Sequence, residues 1–221
     1  MTDHAFTFCD THLIARADCT LWWPDARLLC VSDLHLGKSE RIARRGGTLL
    51  PPYETCETLW RLEETVMATN PETIVCLGDS FDDLGAARAV DDDTRTTLIR
   101  LQAGRDWIWI EGNHDPGPID LGGTHLGQLQ RGPLSFRHIG QPNASGEVSG
   151  HYHPKAALKG IARRPCFLVD DARIILPAFG AYTGGLAARD EVLVKIMAPS
   201  AIAILTGKRA LPVPLSACLK R

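Results

Sequence analysis

The chain has 221 residues, a formal net charge of −2, 44% hydrophobic residues and 23% charged residues. That balance describes a soluble globular protein with enough apolar material for one large core. The near-neutral charge excludes a polycation that coats nucleic acid, leaving only local or transient contacts, and the lack of about 18 consecutive apolar residues excludes a spanning helix.

In chain order, residues 1–25 predict a β-hairpin with arms at 12–16 and 20–23. Residues 27–31 form a short apolar run that ends abruptly in Ser-Asp-Leu-His, a buried strand feeding a loop. A short helix is predicted over 38–45, closed by Gly46-Gly47. Pro51-Pro52 then lead into a longer helix over 53–69, with Leu59, Leu62 and Val66 at helical spacing. Residues 73–77 form the next strand, ending in Gly78-Asp79-Ser80. Asp91, Asp92 and Asp93 cap a helix running to residue 101, since acidic side chains in a first turn favour the helix dipole. Residues 107–110 form a third strand, ending in Gly112-Asn113-His114-Asp115. Beyond a glycine-rich stretch, strands are predicted at 134–138, 166–169, 173–176, 192–196 and 201–205. The tail from 212 to 221 reads as peripheral. An alternating β-α-β-α-β half is thus followed by a mostly β half, at a length that suits one domain.

Seven cysteines are scattered without a C-x-x-C pair, a pattern that fits a reducing compartment better than a disulfide framework. Cys30 and Cys76 lie inside apolar runs and are expected as small buried side chains. The N-terminus lacks a basic segment followed by an apolar one, so no secretory signal is expected and the chain reads as cytoplasmic.

Three consecutive strands deliver metal-ligand residue types just past their C-terminal ends: Asp33 and His35, then Asp79, then Asn113 and His114. In an open α/β sheet that edge binds ligands. The later half adds His138 and the pair His151 and His153 of Gly-His-Tyr-His, which face one side if that segment is extended. His125 competes with His138, which is preferred for its place shortly before Gly-His-Tyr-His. His4 and His12 are assigned to the surface or the hairpin. Carboxylate oxygen with imidazole nitrogen suits Mn, Fe, Zn or Co. Seven candidate groups exceed one metal's needs and suit two ions sharing a carboxylate, about 3.5–4 Å apart, which make hydroxide available near neutral pH.

In their order, Ser-Asp-Leu-His, Gly-Asp, Gly-Asn-His-Asp, a lone His and Gly-His-x-His resemble the calcineurin-like metallophosphoesterase superfamily over residues 33–153. The resemblance implies an α/β (α+β) fold, a four-layer αββα sandwich of two mixed β-sheets flanked by helices. It implies a metal-binding core over 26–186 and C-terminal strands and tail over 187–221. It further implies two divalent ions, Mn(2+) foremost with Fe, Zn or Co as alternatives. One ion would be held by Asp33, His35, Asp79 and His153, the other by Asp79, Asn113, His138 and His151. His114 would assist the leaving oxygen, Asp115 would orient it, and Asn113 would steady charge on the phosphate.

A narrower resemblance rests on CVSDLHLGKS (30–39), residues 41–46, LPPY (50–53), GHYHPK (150–155) and LPAFGAYTGGL (176–186). These segments are similar to the ligase-associated DNA damage response endonucleases, PdeM. That resemblance implies DNA as substrate, with an ATP-dependent DNA ligase and a helicase as partners. An esterase acting on a small nucleotide or a UDP-sugar lipid is the alternative, and a non-catalytic adaptor for repair proteins is a third reading. Lys38, Arg41 and Arg45 share a helical face at spacings of three and four, as phosphate contacts or as an ordinary solvated face. Lys155, Lys159, Arg163 and Arg164 form a second basic group. Gly180, Gly184 and Gly185 are expected to let a tight loop approach the metals, with Phe179 and Tyr182 packing beneath it.

Overall fold

The architecture starts from an alternation of buried and exposed positions at the N-terminus. A computed structural model describes residues 2–44, 46, 53–117 and 120–219. Strands β1 (His4–Phe8) and β2 (Thr11–Ala15) pair antiparallel across Cys9 and Asp10, both left-handed at φ 48° and 57°. Two positive φ values in a two-residue loop match the twist of the flanking strands. The predicted hairpin corresponds to β2 and β3 (Leu21–Trp23), and β1 adds a third strand.

The chain continues through β4 (Leu28–Val31), α1 (Lys38–Arg44), α2 (Glu54–Thr69), β5 (Thr73–Leu77), α3 (Leu84–Arg88), α4 (Asp92–Gln102), β6 (Asp106–Ile110) and β7 (Thr124–Leu126). Asp91 caps α4 by accepting the Thr94 N–H at 2.7 Å, with Asp92 and Asp93 in the first turn. The first sheet runs β1 to β7 in order, antiparallel as far as β4 and parallel from β4 to β7.

The second half supplies β8 (Leu129–Arg131), β9 (Leu134–Phe136), β10 (Glu147–Ser149), β11 (Lys155–Leu158), β12 (Ile161–Val169), β13 (Arg173–Ile175), α5 (Glu191–Ile196), β14 (Ile202–Leu205) and β15 (Leu211–Pro214). Their sheet is ordered β15-β14-β12-β13-β10-β9-β8, with β11 paired to β12. It is mixed, because β9, β10 and β13 run parallel.

Two expectations are corrected here. Residues 192–196, predicted as a strand from their valines, lie in α5. The Asp190 side chain caps that helix through the Val192 N–H at 3.0 Å, and only Leu193 is buried while Val192 and Val194 face solvent. The tail expected to be peripheral contributes β15, paired with β14 from Ile202↔Pro214 to Leu205↔Leu211. Its prolines fit an edge strand, which lacks a neighbour needing their N–H, and Leu215 and Cys218 beyond it are buried.

Three apolar clusters separate four layers. Leu13, Leu28, Cys30, Val75 and Leu77 of the first sheet meet Phe136, Val148, Phe167 and Ile204 of the second. The opposite face of the first sheet, with Leu29, Val31, Ile74, Cys76 and Trp107, packs on Leu59, Leu62 and Val66 of α2 and Leu98 of α4. The outer face of the second sheet, with Cys166, Leu168 and Ala203, is covered by Leu193 of α5 and by Met197. Cys30 and Cys76 are the buried side chains their surroundings predict. Among the described residues, no helix is long and apolar enough to cross a membrane.

Candidate metal centre

Parallel strands end at the same edge of their sheet, so their following loops gather there. In the first sheet β4, β5 and β6 lead to Asp33 and His35, to Asp79, and to Asn113 and His114. In the second sheet β9 leads to His138 and β10 to His151 and His153, while β13 leads to the glycine-rich segment. Backbone hydrogen bonds join these loops: His35 N to Asp79 O (2.9 Å), Leu36 N to Ser80 O (2.9 Å) and Phe179 N to Ser32 O (2.8 Å). The Asp33 carboxylate also accepts the His151 N–H at 3.1 Å, and the Asp79 carboxylate accepts the His114 N–H at 2.9 Å.

Asp33, His35, Asp79, His151 and His153 all adopt left-handed backbone, at φ 54°, 47°, 44°, 71° and 46°. Asp and His are among the side chains that tolerate this region, at about 1–2 kcal/mol each. The inter-loop hydrogen bonds hold them in it. Gly-His-Tyr-His is therefore not extended, so the condition for its two imidazoles to face one side by alternation is not met. Left-handed turns at both histidines still deliver the two imidazoles to one centre.

Potential ligand atoms of Asp33, His35 and His153 form one group within 4.8 Å of one another, and those of Asp79, His138 and His151 form a second. A third group, His35, Asp79 and His114, spans between them. In the first, His153 Nε2 lies 2.9 Å from Asp33 Oδ1 and 3.4 Å from His35 Nε2. In the second, His138 Nε2 lies 3.0 Å from Asn113 Oδ1, 3.3 Å from Asp79 Oδ2 and 3.3 Å from His151 Nδ1. His125, the competitor, stacks instead on Trp109.

Burial alone would raise the Asp79 carboxyl, but the hydrogen bond and charge of His138 outweigh it and hold the group at about 2. Burial is likewise outweighed at Asp33, which is lowered by His153 and His138. Burial pulls His138 down, yet Asp79 and Asp33 leave it raised, whereas burial and His138 lower His151. The donor set fits cations. Asp33 Oδ1 is buried without an aligned hydrogen-bond donor although His153 is close, and His35 and His153 face each other nitrogen to nitrogen. Converging lone pairs of this kind are satisfied by metal ions.

The outer partners were not legible in the sequence. His138 places Nδ1 3.1 Å from the Leu77 carbonyl, which fixes Nε2 as the inward atom. Asp82, wholly buried, places Oδ1 3.0 Å from His35 Nδ1, while Oδ2 pairs with Arg41 Nε. Its backbone oxygen lies 2.9 Å from His114 Nδ1. The signal that would have found Asp82 is the need of a ligating histidine for an outer acceptor, with a carboxylate three residues past Asp79.

The orienting contact expected between Asp115 and the His114 ring is corrected. Asp115 accepts backbone N–H groups from Ser80, Phe81 and Gly112 at 2.8, 3.1 and 3.1 Å, so it braces loops, and the Asp82 carbonyl faces His114. Burial and the charge of Asp79 raise Asp115 to about 6 against the pull of those N–H groups.

Among the basic residues, Arg41 is committed to Asp82, and Lys38 donates to the Tyr182 carbonyl at 3.3 Å. Arg45 and the side chain of Arg44 lie outside the described residues. Lys155 donates to Thr183 O at 2.6 Å and Arg163 to Gly185 O at 2.8 Å, while Lys159 is exposed. The glycine-rich segment does approach the ligand loops. A Cβ on Gly180 would come within 2.2 Å of Leu34 O, and one on Gly185, at φ +152°, within 2.0 Å of His153 O. Gly184 has no such neighbour. Phe179 packs as expected, fully buried beneath the Arg61 guanidinium, but Tyr182 is exposed.

The fold and the paired Asp/His groups define a metal-dependent phosphoesterase. The family model described as calcineurin-like phosphoesterase matches residues 26–177. The crystal structure of Pseudomonas putida nuclease MPE is similar at 28% identity, covering 96% of this chain and 100% of that one with a TM-score of 0.76. Among curated proteins none matches. The chain belongs to the calcineurin-like phosphoesterase family, whose members use divalent metal ions.

Proposed function

We propose that this chain is a two-metal DNA phosphodiesterase, an endonuclease of the ligase-associated PdeM group. The observation that carries the reading is the pair of largely buried ligand groups, Asp33/His35/His153 and Asp79/His138/His151, with an accessible His114 beside them. Its likeness to a bacterial nuclease over nearly its whole length supports a nucleic-acid substrate. On this reading residues 1–221 act as one domain in the cytoplasm with Mn(2+), alongside a DNA ligase and a helicase.

Asp33, His35, Asp79 and His153 would hold one ion, and Asp79, Asn113, His138 and His151 the other. Bound there, two divalent ions supply Lewis-acid charge for the phosphate and lower the pKa of an attacking water. The residues do the rest. Asp33 and Asp79 stay ionised and available as ligands. His138 is fixed in tautomer and aim by Leu77 O, and the Asp82 carboxylate stands 3.0 Å from His35 Nδ1. His114, about one-third exposed, donates Nδ1–H to Asp82 O and so turns Nε2 toward solvent and Asp79, 3.9 Å away. Nε2 is the atom that passes a proton to the leaving alkoxide. Among the described residues the Asn113 amide nitrogen has no partner and would stabilise phosphate oxygens, while its Oδ1 lies 3.0 Å from His138 Nε2.

Covalently closed circular DNA provides the test. Opening of the circles with Mn(2+), abolished by a chelator, supports an endonuclease. Intact circles beside degraded linear strands would replace it with an exonuclease, and no DNA hydrolysis of any kind would overturn the DNA reading.

A further inference from the structure

The segment after β13 holds a tyrosine ring out in solvent beside the metal centre. Tyr182 is 53% exposed and its backbone is left-handed at φ 54°. For an aromatic residue that conformation is strained and persists only where the surroundings enforce it. They do so from several sides. Gly180 N donates to Asp33 O at 3.1 Å and Ala181 N to Thr58 Oγ1 at 3.0 Å. Lys38 and Lys155 hold the carbonyls of Tyr182 and Thr183, and Gly185 lies against the His153 backbone. The exposed ring gains no core packing in return.

A cavity of 270 Å³ opens under this segment, lined by the ligand His153 together with Arg61, Lys155, Phe179, Tyr182 and Thr183. The cavity adjoins His153, one of the proposed metal ligands. Arg61 and Lys155 stand together on the wall of this cavity. Like charges gathered at one wall are relieved by an anion. An ammonium has three donors, and the bond from each lysine to its carbonyl uses one.

We propose that this segment is a nucleotide-recognition loop, in which Tyr182 stacks on a base flanking the cleaved phosphate while Lys38 and Lys155 meet the adjoining backbone phosphate. This inference rests on the DNA reading above. Stacking on an aromatic ring tolerates any base, because every base has a π-face, so the loop grips a strand without reading its sequence.

The test is an abasic scan. Single-stranded oligonucleotides lacking one base at successive positions around the cleaved bond are offered to wild type, Tyr182→Ala and Tyr182→Phe. Tyr182→Ala raises KM for intact DNA about 10-fold, and Tyr182→Phe stays near wild type. One abasic position beside the cleaved bond costs wild type a similar factor and costs Tyr182→Ala nothing further. Independent, multiplying losses, or intact DNA bound equally by all three proteins, overturn the stacking role and leave the nuclease reading standing. Wild type that hydrolyses a small diester but no DNA overturns both. Metal content is measured alongside. If the alanine variant loses its metals, the wild-type scan decides alone, and the lack of any position-specific loss overturns the proposal.

Discussion

The Asp82 backbone oxygen lies 2.9 Å from Nδ1 of His114, while the carboxylate of the same residue sits 3.0 Å from Nδ1 of His35. One residue thus orients the candidate proton donor through its main chain and a candidate metal ligand through its side chain. Replacing Asp82 by Asn separates the two. The carbonyl survives, but the charge facing His35 is lost, and metal affinity falls about 10–100-fold. Mn(2+) titration of the metal-free variant measures this, and unchanged affinity would dismiss the carboxylate's role.

Arg41 pairs with Asp82 and is only partly exposed. Its guanidinium therefore acts through Asp82 and His35 before it can meet a phosphate. Arg41→Gln should lower turnover of DNA and of bis(p-nitrophenyl) phosphate by similar factors, about 10-fold by the outer-partner scale. A loss confined to DNA would show that Arg41 contacts the strand directly.

In the metal-free protein Asp79 is held at about 2, below its ordinary 3.8, chiefly because His138 outweighs burial. A depressed carboxylate stabilises the fold above its unfolded value, and that contribution is lost as pH falls from about 4 toward 2. Asp115 runs the other way, since its raised value of about 6 gives stability below the ordinary carboxylate range that fades as pH climbs through 6. Thermal unfolding of wild type against Asp79→Asn reads the first effect below about pH 4, under the window in which Asp115 titrates. The wild-type advantage should be full at about pH 6 and shrink below about pH 4. A constant difference would show that Asp79 is not held by His138.

The ligand loops of the first sheet were legible because each follows an apolar run that ends abruptly at Ser32, Gly78 or Glu111. What escaped has physical reasons. Strand β1 was missed because Cys9-Asp10 makes a two-residue turn that usually needs Asn-Gly, and nothing local advertises their positive φ. Helix α5 read as a strand because valine favours strands, whereas the Asp190 cap and the burial of Leu193 decide it. Asp82 was invisible because its meaning is tertiary: it meets His35 and Arg41 from a different loop. Asp115 misled because it adjoins His114 in sequence, yet its carboxylate serves the N–H groups of Ser80, Phe81 and Gly112.

Asp79 belongs to one ligand group and joins His35 of the other in the third group, while on this reading His114 is the proton donor and holds no ion. Metal content per chain, measured together with Mn-dependent hydrolysis of DNA and of bis(p-nitrophenyl) phosphate, therefore tests the two-metal centre most directly. Wild type should carry two ions and be active. His114→Ala should keep both ions while losing about 10²–10⁴-fold in turnover, and Asp79→Asn should lose ions and activity together. A fully active chain holding one ion or none, or a His114→Ala variant at wild-type rate, would contradict it.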